Sequence, residues 1–171
     1  LKIGKDGTVA FAGATVLGRS VFYNNSQYDG YTPAATAADW AAIATDKVAL
    51  RPGQLASFAN YTSSLAGING VVVDIAGVTG TPTVSDFLFH VGNNAAVGTW
   101  ADAPQPSSFA VHPGAGVGGS TRVTIVWPDG LIRNQWLQVD VRVTVAAREA
   151  VRALADEHHV VGALHHEPRD L

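Results

Sequence analysis

Residues 136–145 read Trp-Leu-Gln-Val-Asp-Val-Arg-Val-Thr-Val, and this run decides the fold class. Leu137, Val139, Val141, Val143 and Val145 share one parity, while Gln138, Asp140, Arg142 and Thr144 share the other. In an extended chain successive side chains point to opposite faces, so the valines enter a core and the polar set lies on an outer face. Trp136 has the parity of the polar set and is expected on the same outer face.

Similar runs recur upstream. Residues 19–23, 56–61, 71–75, 86–91, 107–112 and 121–127 are short, carry β-branched or aromatic side chains, and are separated by Gly, Pro, Asn and Asp. No helix long enough for a crossover lies between them. The pattern therefore predicts an all-β chain, an antiparallel β-sandwich of jelly-roll or immunoglobulin-like type. Asp129-Gly130 after Pro128 suits a tight turn between two strands. Residues 33–45, rich in Ala and containing Trp40 and Ile43, fit a helix or a loop equally well.

The chain has 171 residues, 47% apolar and 15% charged, with no Cys and a formal charge of −3. This length builds a core without disulfides, and the lack of Cys excludes zinc ribbons, thiol nucleophiles and redox pairs. Charge is unevenly spread. Residues 147–171 hold all three Glu and four of the six His, whereas the first 146 hold nine Asp, no Glu and every aromatic. The expected organisation is a β-sandwich domain over 1–146 and a polar, helical C-terminal tail over 147–171. The helix is best supported by AREAVRALADE at 147–157. A nearly neutral body excludes a nucleic-acid partner, and its apolar runs are too short for membrane insertion. The chain begins at Leu1 without a signal-peptide pattern, which reads as a processed chain or an excised segment.

Several phrases carry a resemblance: VFYNNSQYDG (21–30), ATDKVALRPGQLASFANYTS (44–63), INGVVVDI (68–75), DFLFHVGNN (86–94), PGAGVGGSTRVTIVW (113–127) and IRNQWLQV (132–139). Over roughly residues 18–145 the chain resembles a β-sandwich accessory domain of large bacterial secreted and surface proteins, notably those of planctomycetes. Such domains sit near dockerin-like and other polysaccharide-associated segments. The resemblance implies carbohydrate binding or surface assembly, and an extracellular or cell-surface location.

Aromatic residues beside amides and carboxylates are the clearest candidate site. A sugar ring offers an apolar C–H face rimmed by hydroxyls, which suits a flat indole or phenol with hydrogen-bonding neighbours. Trp136 on the outer face and Trp100 in a loop after Asn93-Asn94 are expected as stacking platforms. Asp140, Arg142, Asn93 and Asn94 would bind hydroxyls, and Tyr28 and Tyr31 flank Asp29-Gly30 in a further polar loop. The alternative, that each ring caps the core beneath its loop, stays open. Trp127 shares the parity of Val123 and Ile125 and belongs to the core.

A structural Ca2+ is the second candidate, because hard cations take oxygens from Asp- and Asn-rich loops. Asp29, Asp39 and Asp46 are its carboxylates, although no spaced D-x-D-x-D-G run is present and turn formation explains the same residues. His158-His159 and His165-His166 read as adventitious metal binders, and His90 and His112 as isolated, solvated imidazoles. No G-x-S-x-G elbow occurs, and the Gly-rich stretch 114–120 lacks the phosphate-loop Lys. A glycosidase pair would come from Asp74, Asp86 and Asp140.

The expected function is a non-catalytic extracellular carbohydrate-binding module whose partner is a polysaccharide or other glycan. The alternatives are a structural domain of a surface protein or filament, binding neighbouring domains or copies of itself, and a small polysaccharide-active enzyme.

Overall fold

The computed structural model describes residues 13–142 in full, together with the backbone of the short strands Lys2–Ile3, Val9–Ala10 and His158–Val161. The described strands are β1 (Lys2–Ile3), β2 (Val9–Ala10), β3 (Thr15–Val21), β4 (Gly70–Ala76), β5 (Phe87–Gly92), β6 (Ala101–Asp102), β7 (Ser108–His112), β8 (Thr121–Val126), β9 (Trp136–Val141) and β10 (His158–Val161). β1 and β2 pair with each other. The others form two antiparallel four-stranded sheets, ordered β3-β4-β8-β7 and β10-β9-β5-β6. The all-β expectation holds, and the only helices among the described residues are short 3-10 turns. No described helix is long and apolar enough to cross a membrane.

Alternation explains the core. Val71, Val73 and Ile75 from β4 and Val123 and Ile125 from β8 meet Phe87 and Phe89 from β5 and Leu137 and Val139 from β9 in one buried cluster. Trp127 lies fully buried at its end, edge-on to Phe89 with ring centroids 5.2 Å apart. Its indole N–H donates to the carbonyl of Pro104 at 2.8 Å, so its one polar atom is satisfied. The Asp129-Gly130 turn forms, but it lies in a connection between strands of different sheets rather than in a tight hairpin.

β4 is buried along nearly its whole length because its other face is covered too. There Phe22, Ala42, Val72 and Val126 form a second cluster. The cover is the chain after β3, whose Ala37–Ala42 segment settles the helix-or-loop alternative as a short 3-10 helix. Its capping box pairs Thr36 and Asp39, with the Thr36 N–H donating to Asp39 at 2.8 Å.

Two strand expectations need correction. Residues 56–61 form a 3-10 turn at Phe58–Asn60. Asn60 accepts from the Ser57 N–H at 2.8 Å and donates to the Val48 carbonyl at 3.1 Å. Local side-chain-to-backbone bonding thus replaces a ladder. The strand expected over 19–23 instead runs from Thr15 to Val21, and beyond it Phe22 makes only an isolated bridge to Ile43. Residues 143–145 and the helix expected over 147–157 lie outside the described residues. Within the tail, His158–Val161 is a strand that pairs antiparallel with β9, from His158↔Asp140 to Val161↔Leu137.

The covered face of the β3-β4-β8-β7 sheet holds two carboxylates of opposite character. Asp74 is buried and accepts both Arg122 Nε and Nη2 at 2.8 Å, as well as the Val117 N–H at 3.1 Å. The strand opposite leaves room for it, since a Cβ on Gly18 would stand 2.8 Å from Asp74 Oδ2. The Arg122 guanidinium lies 5.2 Å from the Trp40 ring centre, and its bonds to Asp74 raise its pKa further. Asp39 has no such cation: it is fully buried and Oδ1 has no hydrogen-bond donor. Burial pushes its carboxyl pKa up, against the Thr36 N–H, and Asp29 adds repulsion.

Two outcomes follow from these pairings. Asp74→Ala leaves a partly buried guanidinium without its partner and should cost about 2–4 kcal/mol in chemical denaturation. For Asp39 the folded chain holds the proton more tightly than the unfolded chain, so stability falls as pH rises from the ordinary carboxylate range through the raised pKa. Asp39→Asn should therefore melt higher than wild type at neutral pH, with the gain vanishing below about pH 4. An equal difference at every pH would contradict this assignment.

Candidate functional site

The site is built on the outer face of the β10-β9-β5-β6 sheet, and its geometry follows from register. Residues directly opposite in an antiparallel ladder carry their side chains on the same face. Phe89↔Val139 and Val91↔Leu137 face the core, so His90↔Gln138 and Gly92↔Trp136 face outward. β6 extends the row, because Asp102 is opposite His90.

Trp100 joins this face through Gly92. A Cβ built on Gly92 would lie 2.4 Å from Trp100 Cδ1 and Cγ, so the indole rests where a side chain would otherwise stand. Since Gly92 is opposite Trp136, the two tryptophans share one side of the sheet. Both are half-buried. The loop between β5 and β6 holds the Trp100 ring in place: its Nε1 donates to the Asn94 carbonyl at 3.1 Å and to Asn94 Oδ1 at 3.3 Å. Asn93 donates to the Asn134 carbonyl at 2.8 Å, tying that loop to the segment that leads into Trp136.

Behind the tryptophans lies a polar cluster. His90 Nε2 is 3.6 Å from Asp102 Oδ1, and Nδ1 is 3.7 Å from Asp140 Oδ2. Gln138 donates to both oxygens of Asp140, at 3.0 and 3.1 Å. Gln138 and Asp140 have the outward parity expected, yet they are only 5% and 7% exposed. His90 is likewise not the isolated, solvated imidazole expected, because carboxylates flank it on both sides.

Of the expected ligand-binding residues, Trp100, Trp136, Asp140, Asn93 and Asn94 belong to this face or its adjoining loop. Arg142 is exposed just past the end of β9, six positions from Trp136 and so about 20 Å along the strand. Tyr28 and Tyr31 are exposed, but they belong to the segment that leads from β3 into the cover of the other sheet. Gly92, Asp102 and the pairing of His90 with Gln138 were not singled out. The shared parity of Trp100 and Asp102 was the available signal, and it needed the β5–β6 pairing to give it meaning.

The calcium candidates do not converge. Asp29 accepts the backbone N–H groups of Asn25, Ser26 and Tyr31, at 2.7, 2.8 and 3.0 Å, a donor ring that suits an anion and repels a cation. Asp46 pairs with Lys47 at 3.0 Å, and Asp39 is enclosed by its cap. Among the described residues no group of three His, Cys, Asp or Glu could hold a metal ion. The carboxylates expected for an enzyme are also engaged separately: Asp74 with Arg122, Asp86 with Thr83 and Asp140 with Gln138. An open cleft of about 510 Å³ lies among Asn24, Pro33, Ser107 and Asp129. There Asp129 already accepts from the side chains of Asn25 and Asn69.

Gly92→Ala tests the seat of Trp100 directly. The added methyl should lift the indole from the sheet and move its fluorescence to longer wavelength, at a stability cost of about 1–3 kcal/mol. An unchanged spectrum would mean that the ring does not rest there. No family model, curated protein or solved structure matches this chain.

Proposed function

We propose that this chain is a non-catalytic carbohydrate-binding module of β-sandwich form, acting outside the cell or on its surface, with the Trp100–Trp136 face as its glycan platform. The observation that carries this reading is the seating of Trp100 on Gly92, which puts both indoles on one side of a sheet beside His90, Gln138 and Asp102. Rigid aromatic area next to fixed polar groups is what a sugar ring requires. The strand orders β3-β4-β8-β7 and β10-β9-β5-β6 match A-B-E-D and G-F-C-C′, which supports an immunoglobulin-like sandwich over a jelly roll. The platform is then the outer face of the sheet that contains strands C and F.

A second reading, an interaction domain of a surface assembly, is favoured by one observation. Leu55, Phe58 and Leu65 are 94%, 64% and 76% exposed along the connection from β3 to β4. Concentration-dependent assembly in light scattering, with no glycan retained, would select this second reading.

Retention of the full chain on immobilised plant, algal and bacterial polysaccharides tests the glycan reading. At least one polymer should retain it, and Trp136→Ala should weaken retention by about tenfold, the equivalent of 1.4 kcal/mol. Tyr28→Ala and Tyr31→Ala should leave retention unchanged. Failure of every polymer to retain the wild-type chain would remove the reading.

A further inference from the structure

The cover of the β3-β4-β8-β7 sheet is attached unevenly. Residues 34–41 begin and end at the exit of β3. There the Asn24 side chain donates to the Pro33 carbonyl at 3.4 Å, and the Tyr23 N–H donates to the Ala42 carbonyl at 3.1 Å. Asn24 is itself fixed, since its N–H donates to Asn69 Oδ1 at 3.1 Å and its carbonyl accepts from Asn69 Nδ2 at 2.8 Å. From this neck the segment reaches across to β7 and β8, where side chains hold it. Ser108 Oγ accepts the Ala35 N–H at 2.9 Å, and Trp40 stands edge-on to His112, with ring centroids 5.2 Å apart. Backbone bonds at one margin and side-chain contacts at the other are the construction of a flap.

Closure of this segment costs hydration. Asp39 Oδ1, Trp40 Nε1 and His112 Nε2 are buried without a hydrogen-bond partner, and lifting the segment returns each to water. Asp39 carries the largest share, because a carboxylate is the most costly of the three to bury. The Thr36 N–H that it accepts belongs to the same segment, so that bond survives opening and does not favour closure. No free cation answers the charge. Arg122 of β8 is paired at two points with Asp74 of β4, and β3 presents the uncharged Gly18 and Ser20 on this face. Asp29, in the turn before the segment, repels, while the His112 imidazole of β7 draws the other way with a smaller influence than burial.

We propose that residues 34–41 form a pH-governed flap, held closed over β7 and β8 in acid and opening more often as pH approaches neutrality. A proton on Asp39 lets its side chain meet the sheet uncharged. Closure is therefore favoured most below the ordinary carboxylate range, and that favour is lost as pH rises through the raised pKa of the closed form. The flap also governs access. Pro33 and Ala34 at its start line the 510 Å³ cleft together with Ser107 and Ser108, so opening widens that cleft and uncovers Val72 and Val126.

Peptide-resolved hydrogen exchange of the full chain, corrected for the intrinsic effect of pH, tests this. Amides of residues 35–41 should exchange at least about tenfold faster than those of β4 and β8 at each pH, the mark of an opening separate from global unfolding. Between about pH 4 and pH 7 their protection should fall, by at most about tenfold per pH unit, because one proton is linked to closure. Asp39→Asn, uncharged at every pH, should keep the acid level of protection throughout. His112→Gln should retain the fall, since the imidazole opposes it. Flap amides that exchange in step with β4 and β8, or whose protection is flat with pH, would overturn the proposal. So would a fall that survives Asp39→Asn or vanishes in His112→Gln, because the imidazole would then be the titrating group.

Discussion

The pairing of β5 with β9 is the constraint on which the rest of this structure depends. Six register pairs, from Phe87↔Val141 to Gly92↔Trp136, set two chemically opposite faces at once. One face delivers Phe87, Phe89, Leu137 and Val139 to the core, and the other assembles His90, Gln138 and the seat of Trp100. A slip of one residue would exchange these faces, placing Gln138 and Asp140 against Trp127 and the valines in the polar row. Stability and site geometry are therefore not independent here. The burial that holds the register also holds the candidate site, and no binding residue needs a strained backbone of its own.

The two sheets meet the burial of polar groups in different ways. On the covered face of the β3-β4-β8-β7 sheet, Asp74 and Arg122 neutralise each other with a two-point contact, and the Val117 N–H completes the shell. That arrangement is closed, and it leaves the carboxylate nothing to offer a ligand. On the outer face of the β10-β9-β5-β6 sheet the carboxylates of Asp102 and Asp140 stand on either side of one imidazole at 3.6 and 3.7 Å, and a glutamine oxygen is left over. Incomplete satisfaction is expensive inside a protein, and it is met on both sheets, at Asp39 Oδ1 as well as at Gln138 Oε1.

Much of this was legible in the sequence, and the failures have physical causes. The alternation of Leu137, Val139 and Val141 against Gln138 and Asp140 identified both faces of β9, because period two is a local property. The burial of Gln138 and Asp140 was not legible. Parity assigns a residue to a face, and it carries no information about what lies over that face. Trp100 could be assigned to a loop but not to a face, since its place is decided by a glycine eight residues earlier and by the fold of the intervening hairpin. The strand expected at 56–61 failed for a different reason. Phe58 and Tyr61 have strand-like side chains, but Asn60 bonds its own neighbourhood and turns the chain first. The Asp-rich loops were ambiguous between turn and metal, and backbone donors around Asp29 decide for the turn.

The strand His158–Val161 has a consequence for how copies of this chain meet one another. It pairs with β9, which without it would be the rim of its sheet and would present a row of unsatisfied amide and carbonyl groups. A strand supplied from the chain's own C-terminal segment closes that rim from within. The backbone groups of β9 are thereby spent inside the sheet, and the edge open to another copy of the chain is moved outward to His158–Val161.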